Sequence, residues 1–299
     1  MLDILGVEIR ENEPLSKHST FKIGGPAKIA VFPKTIEELI SVLNAVKSCN
    51  YKYKIIGNGS NILFDDEGFE GIIIFTKKLS DIEYIHKGSV TKIKVSCGKS
   101  LTELASEAGK KHSLAGLEFA YGIPGTVGGA VYMNAGAYGG QMSDVVVETE
   151  YFDPTDGEIK TARGEEHKFD YRHSIFAEHP EYIIISTVLS LKEGNAEDIF
   201  TAMTKNMTSR REKQPLEFPN AGSTFKRPEG YFAGKLIEDS GLKGYTVGGA
   251  QISPKHAGFT VNIGGATSSD VLAVIKHTKD TVFENFGVEL ECEIIYVPQ

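Results

Sequence analysis

The stretch NAGSTFKRP, Asn220 to Pro228, sets Ser223 behind a glycine and before a threonine and an aromatic, in a loop between two helical patterns. Four readings of such a serine are open: nucleophile, proton donor, helix cap, or a loop residue with no particular task. A hydrolase nucleophile sits in G-x-S-x-G between a strand and a helix. Here the surroundings are A-G-S-T-F with prolines close on both sides, and no histidine lies near in sequence. Pro228 keeps any helix starting at 224 short, which weakens the cap reading. Pattern alone stops at a buried or functional loop serine.

Two more side chains have types suited to handling charge. Arg172, in DYRHS, has the planar fork that binds a carboxylate or phosphate with two bonds. A surface arginine in a loop is the plainer reading of that pentapeptide. In ELECEII, Glu289, Glu291 and Glu293 fall on one face of a half-buried strand, with Cys292 and Ile294 on the other. A solvated glutamate face is the ordinary outcome.

Glycine-rich stretches raise the question of a phosphate or flat-ring ligand. GNGSN, Gly57 to Asn61, follows a strand and has small residues that let backbone amides converge on an anion. It lacks the dinucleotide-binding fingerprint, because Ile62 stands where the last glycine belongs and a second strand follows. A plain strand-to-strand loop stays open. GIPGTVGGAVYMNAG carries Gly122, Gly125, Gly128 and Gly129 beside small or β-branched neighbours and opens a short helix. That suits a buried pyrophosphate or ring system, and the entropic cost of so many glycines argues against packing alone. GKS at 98–100 is not a P-loop, since Ile93 stands where the first glycine is required. Ser100 reads as a helix cap with Glu103 at the box position. The histidines show no H-E-x-x-H pattern, and no metal site is expected.

The elements that must hold these residues are legible in outline. Residues 27–33 predict a strand, and the apolar spacing of Ile36, Leu39, Ile40, Leu43 and Val46 predicts a helix capped by Thr35. YKYKIIG and GIIIF predict further strands, a β-α-β opening that suggests parallel pairing. Residues 82–98 and 145–162 predict hairpins, the second turning at 153–157, and YIIISTVLSL predicts a buried strand. Helices are expected at 100–112, 195–214, 230–241 and 267–287, and strands at 257–263 and near the C-terminus. Val271, Val274, Ile275, Val282, Phe283 and Phe286 are expected to line one side of the last helix. The domain expectation is 1–76 and 77–205 as two subdomains, followed by 206–299.

Composition narrows the class. Lys+Arg 32 against Asp+Glu 40 gives a net charge of −8, which disfavours nucleic acid or anionic lipid as the main partner. Three cysteines, none in a C-x-x-C pair, argue against a disulfide framework or zinc cage and fit a reducing cytoplasm. The start MLDILGVEIRENE is acidic and unlike a secretory signal, and no run approaches the roughly 18 apolar residues of a membrane span.

Together, STFKIGGPA (19–27), GNGSN (57–61), GIPGTVGGAVYMNAGAYGG (122–140), YRHSIF (171–176), NAGSTFKRP (220–228), GGAQIS (248–253) and LECEI (290–294) resemble the UDP-N-acetylenolpyruvoylglucosamine reductase family, in order and over almost the whole chain. The resemblance implies an α+β protein with an FAD-binding fold of the p-cresol methylhydroxylase/vanillyl-alcohol oxidase type, then a C-terminal α+β substrate domain. It implies NADPH as reductant, a UDP-sugar as substrate, and a role in peptidoglycan precursor synthesis in the cytoplasm. FAD would be held by Gly57, Asn58, Gly59, Ser60, Asn61, Gly125, Thr126, Gly128, Gly129, Asn134, Ala135 and Gly136. GNGSN has no histidine for a covalent flavin link, so dissociable FAD is expected. Ser223 matches the family's proton donor, Arg172 the arginine that stabilises enolate-like charge, and Glu293 the family glutamate. The chain resembles the short form, which lacks a tyrosine-bearing insertion, so Arg227, Lys235, Lys243, Tyr245 and Gln251 are the candidates for substrate binding. Two other readings make different predictions: an alcohol or lactone oxidase of the same fold, whose flavin NADPH would not reduce, and a colourless UDP-sugar-binding regulator.

Overall fold

The computed structural model describes residues 6–49, 51–87 and 90–299. Residues 1–5, 50, 88 and 89 lie outside the described residues, the last two within the span 82–98 for which a hairpin is expected. The chain divides into two compact units. One comprises Met1–Arg10, Ala30–Asn58 and Ile72–Ser209, the other Glu11–Ile29, Gly59–Gly71 and Arg210–Gln299.

The first unit is organised around an antiparallel sheet. Its central strand, Ile183–Glu193, is the apolar run expected to be buried, and it pairs with Val146–Asp153 on one side and Val90–Ser96 on the other. The expected hairpins complete it: Ile82–Lys87 with Val90–Ser96, and Val146–Asp153 with Glu158–Arg163. Helix Leu101–His112 starts where Ser100 accepts the Glu103 amide at 3.3 Å, and helix Ile36–Ser48 where Thr35 accepts the Glu38 amide at 3.2 Å. Tyr53–Ile56 runs parallel to Phe69–Phe75, in register Tyr53↔Ile72, as the β-α-β spacing suggested. Both belong to a four-stranded sheet that also contains Pro26–Phe32 and Glu8–Pro14. The last is a strand that its charged sequence, EIRENEP, does not announce.

The second unit has its own core, in which Phe21, Leu63, Phe225, Leu236, Val271 and Val274 are among the buried side chains. Three short antiparallel strands, Thr246–Val247, Ala250–Ile252 and Thr260–Asn262, accompany helices Ala233–Asp239 and Ser268–Phe286. Helix Ala233–Asp239 is shorter than the expected 230–241, and Gly230 adopts φ +74. Ile295–Val297 pairs in parallel with Ile62–Phe64.

In helix Ser268–Phe286, Val271, Val274, Ile275, Thr278 and Val282 form the buried stripe, whereas Phe283 and Phe286 are exposed. Phe283 follows Val282 and so points about 100° around the helix. Phe286 ends the last turn, just before the Gly287 cap at φ +67. Among the described residues no helix is long and apolar enough to cross a membrane.

The start of that helix is tied to a distant loop. Asp66 accepts the Ser268 amide at 2.6 Å and the Ser269 amide at 3.1 Å, while its own amide donates to Ser268 Oγ at 3.1 Å. Burial pushes the Asp66 carboxyl up, but the amide and hydroxyl bonds from Ser268 and Ser269 outweigh it and hold the carboxyl below its ordinary value. A carboxyl lowered in the folded state adds stability above its unfolded pKa, and that stability is lost as pH falls through the folded value. Asp66→Asn is therefore expected to lower the melting temperature by a few degrees at neutral pH. The difference should shrink toward zero in strong acid, where both proteins carry a neutral group. Melts across a pH series check this; a difference independent of pH would contradict it.

Candidate functional site

In the second unit, Ser223 is half-buried, in a segment with no helix behind it. Gly222 adopts φ +78, and a Cβ there would meet nothing within 4 Å. The glycine is therefore required by the backbone conformation and not by crowding. Asn220 sets the approach to it. Its Oδ1 accepts the Gly222 amide at 3.0 Å, its Nδ2 donates to the Phe218 carbonyl at 2.8 Å, and its carbonyl accepts the Thr20 hydroxyl at 2.7 Å. On the far side, the buried Thr224 donates its amide to Gly258 O at 2.8 Å and its hydroxyl to Thr260 Oγ1 at 3.0 Å. Ser223 is thus fixed on both sides, while no described residue takes up its hydroxyl.

Glu293 lies on the neighbouring segment. Its amide donates to Thr224 O at 2.9 Å, and an antiparallel bridge joins Phe225 and Cys292. The alternation expected of ELECEII is present: Leu290 and Ile294 are buried, Glu289 and Glu291 exposed, and Glu293 half-buried. Regular strand geometry begins only at Ile295. Burial pushes the neighbouring Cys292 thiol up. Asn61, expected to face a cofactor, donates its side-chain amide to the Glu293 carbonyl at 2.9 Å, and its own carbonyl accepts the Ile295 amide at 2.9 Å. Gly59, at φ +61, lies so close to the chain at His18 that a Cβ would fall 2.1 Å from that carbonyl.

Arg172 belongs to the first unit. It is half-buried and holds φ +53, a left-handed conformation uncommon outside glycine and asparagine. The turn around it is closed by reciprocal bonds: Asp170 N–H to His173 O at 3.2 Å, and His173 N–H to Asp170 O at 3.1 Å. Asp170 Oδ1 also accepts the Tyr171 amide at 2.7 Å. The guanidinium stands 5.0 Å from the Tyr171 ring centroid and donates from Nη2 to the Gly136 carbonyl at 3.2 Å. Gly136 begins a tight hairpin, Gly136–Ala137 against Gly140–Gln141, with Tyr138 at φ +53 and Gly139 at φ +86. Sequence reasoning missed this hairpin because tyrosine replaces the usual Asn or Gly at its first turn position.

The first glycine loop and the central glycine segment meet within the first unit. A Cβ on Gly57 would fall 2.3 Å from Thr126 Oγ1, and Asn58 Nδ2 donates to the Pro124 carbonyl. Helix Val127–Tyr132 follows, and its first three amides are already taken. Val127 donates to Lys99 O at 2.9 Å, Gly128 to Cys97 O at 2.8 Å, and Gly129 to Thr126 Oγ1 at 3.3 Å. Those three donors serve the fold.

The two adjacent glycines divide sharply. Gly128 is buried, and a Cβ there would lie 2.8 Å from Cys97 Cβ, so packing explains it. Gly129 is exposed, and a Cβ would come no closer than 3.5 Å to any described atom. Glycine in a helix costs about 0.5–1 kcal/mol relative to alanine, and nothing in the chain repays it at Gly129. A flat group approaching that open backbone would, and this is the observation that fits the segment to FAD. Gly128→Ala is expected to lower the melting temperature of the flavin-free protein. Gly129→Ala should leave that melt unchanged or raised and weaken flavin binding, as read by titration of flavin fluorescence. Equal flavin affinity in parent and Gly129→Ala would contradict the fit.

Asn134, also expected to hold a cofactor, is only 1 % exposed. Its Oδ1 accepts the Ser143 amide at 2.9 Å and its Nδ2 donates to Asp170 O at 3.0 Å. Ala135 is bonded through its amide to Ala130 O at 2.8 Å, and Gly125 accepts the Leu101 amide at 3.0 Å. Ser60 is half-buried in the same loop as Gly59.

The candidates for substrate binding are in the second unit. Arg227 is exposed, its guanidinium 3.9 Å from the centroid of the exposed Phe232 ring, an aromatic support that sequence reasoning did not identify. Lys235 is paired with Asp239, and Lys243 with Glu238 at 2.7 Å. Tyr245 stacks on His277 at 4.2 Å between centroids, and Gln251 Nε2 donates to Thr246 Oγ1 at 2.9 Å.

Comparison with known proteins covers the same ground. A family described as an FAD binding domain matches residues 27–163, and one described as the UDP-N-acetylenolpyruvoylglucosamine reductase C-terminal domain matches 214–297. The chain is 48% identical over 295 residues to the UDP-N-acetylenolpyruvoylglucosamine reductase of Clostridioides difficile, covering 98% of this chain and 95% of that protein. It is 47% identical over 283 residues to the reductase of the same name from Caldanaerobacter subterraneus, covering 95% and 91%. Among solved structures it is similar to the UDP-N-acetylenolpyruvylglucosamine reductase of Thermus caldophilus, with TM-score 0.80, 36% identity, and 98% and 99% of the two chains covered.

Proposed function

The chain belongs to the UDP-N-acetylenolpyruvoylglucosamine reductase family, and from that premise we propose that Ser223, Arg172 and Glu293 carry its reaction. The protein is an FAD-dependent oxidoreductase with an FAD-binding fold of the p-cresol methylhydroxylase/vanillyl-alcohol oxidase type and a C-terminal α+β substrate domain. It reduces the enolpyruvyl ether of UDP-N-acetylglucosamine to UDP-N-acetylmuramate, a step of peptidoglycan precursor synthesis. NADPH is the reductant in this reading, the FAD is dissociable, and the work is done in the cytoplasm. The domain reading remains 1–76 and 77–205 for flavin and 206–299 for substrate.

Bound FAD supplies a carrier for one hydride, taken from NADPH and passed to the terminal methylene carbon of the substrate. Addition there leaves negative charge on the carbon that bears the carboxylate, and the charge spreads into that carboxylate. Arg172 meets the developing charge with a fork of N–H donors held in place before the reaction, which is where such donors act most strongly. Ser223 gives its hydroxyl proton to the carbanion and regains one from solvent. A serine hydroxyl is a weak acid, so it donates usefully only to a base as strong as this one. Glu293 assists as the family glutamate, either protonated or through a water. Arg227, whose guanidinium lies over the Phe232 ring, Lys235, Lys243, Tyr245 and Gln251 are the candidates for holding the substrate and its diphosphate.

The observation that carries this reading is the Ser223 hydroxyl, held by a positive-φ glycine and a bonded threonine yet taken up by no described residue. Incubation with NADPH and the enolpyruvyl ether should yield a product heavier by one hydride and one proton, with the deuteron at the carboxylate-bearing carbon when D₂O is the solvent. Unchanged substrate would overturn the reading.

A further inference from the structure

We propose that Asn134 is a positioning residue for Arg172: its buried side-chain amide clamps the turn that presents the guanidinium. This rests on the role given to Arg172 above. Asn134 makes its contacts with the backbone on either side of the arginine's surroundings. Nδ2 donates to Asp170 O, the carbonyl at the start of the Arg172 turn, at 3.0 Å, and reaches Gln141 Oε1 at 3.4 Å. Oδ1 accepts the Ser143 amide at 2.9 Å. The orientation of the amide follows from the partners, because a carbonyl can only accept and an amide N–H can only donate. Both of its donors and one acceptor site are thus directed into the chain, as suits a buried polar group.

Backbone conformation makes the clamp necessary. Arg172 stands at φ +53 and Asn134 itself at φ +41. A bulky side chain in the left-handed region is strained and persists only where its surroundings over-determine it. The reciprocal Asp170–His173 bonds close the turn on itself but do not fix it relative to Gly136, whose carbonyl accepts from Arg172 Nη2. Asn134 provides that link, since it is two residues from Gly136 and bonded to Asp170. A second tie reaches the other end of the turn, where the fully buried Ser174 donates its hydroxyl to Tyr132 O at 2.7 Å. Asparagine suits the position because it tolerates φ > 0 at little cost and has a donor and an acceptor on a short stem.

The test uses the FAD-loaded full chain in separate half-reactions, read by stopped-flow absorbance. Asn134→Gly removes the clamp while keeping a residue that accepts positive φ. Asn134→Asp keeps shape and the acceptor for Ser143 but cannot donate to Asp170 when ionised, and it serves if the glycine variant does not fold. In each, recovery of absorbance on adding the enolpyruvyl substrate is expected to slow by about 10- to 100-fold, the range for a lost buried hydrogen bond, with bleaching by NADPH within about threefold of the parent. Placed on Arg172→Ala, the same change should add less than about twofold, because residues acting through one another are not additive. Equal slowing of both half-reactions, or full additivity with Arg172→Ala, would overturn the clamp. A slow Arg172→Ala with a normal Asn134→Gly removes the clamp alone. A normal Arg172→Ala removes the reading of Arg172, and the clamp with it.

Discussion

Ser223→Ala is expected to slow the return of flavin absorbance with the enolpyruvyl substrate by about 10²–10⁴-fold, the span of general acid catalysis by a placed side chain. Bleaching by NADPH should stay within about twofold of the parent, because no proton is delivered to carbon in that step. The structure makes this contrast clean. The Ser223 hydroxyl is not part of the bonding that holds its loop, which rests on Asn220, Thr20 and Thr224. Removing one oxygen should therefore leave the fold intact, and an unchanged melting temperature is the control. Ser223→Cys, whose thiol is a stronger acid on a longer bond, should recover part of the rate. Equal loss in both half-reactions would make Ser223 structural.

Arg172→Ala is expected to cost about 10²–10³-fold in the same substrate half-reaction, as for removal of a donor aimed at developing charge. Arg172→Lys keeps the charge but not the planar fork, so it should regain only part of that loss. Alanine also leaves the position at φ +53 without the tether to Gly136 O, so Arg172→Gly, which accepts the conformation, is the companion variant. If the deficit is electrostatic, both variants are slow and guanidinium in the buffer restores part of the rate in each. A deficit in alanine that vanishes in glycine would mean that backbone strain, not charge, was lost.

What could be read from the sequence was mostly local. The Thr35 and Ser100 caps, the long central strand and the two hairpins follow from spacing over a few residues. The glycine before Ser223 was legible only as a letter, and its φ of +78 gives the reason for it. What could not be read depends on pairings between distant segments. Thr20 reaches Asn220, Asn61 reaches Glu293, and Asp66 reaches Ser268. Each joins a polar side chain to a backbone group with no periodicity to announce it. The same limit hid part of what Asn61 and Asn134 do: their side-chain amides bind carbonyls of the Glu293 and Arg172 segments. Gly128 and Gly129 were indistinguishable as letters, and only the nearness of Cys97 separates a packing glycine from one that faces outward.

The central claim is that one site passes a hydride from NADPH to the enolpyruvyl double bond. Sequential anaerobic mixing of the FAD-loaded protein, first with NADPH and then with the enolpyruvyl ether of UDP-N-acetylglucosamine, tests it most directly. The visible flavin absorbance should bleach in the first step and return in the second, with UDP-N-acetylmuramate formed in proportion to the absorbance regained. A protein without flavin absorbance, one that NADPH does not bleach, or one whose bleached absorbance the substrate does not restore would contradict the account.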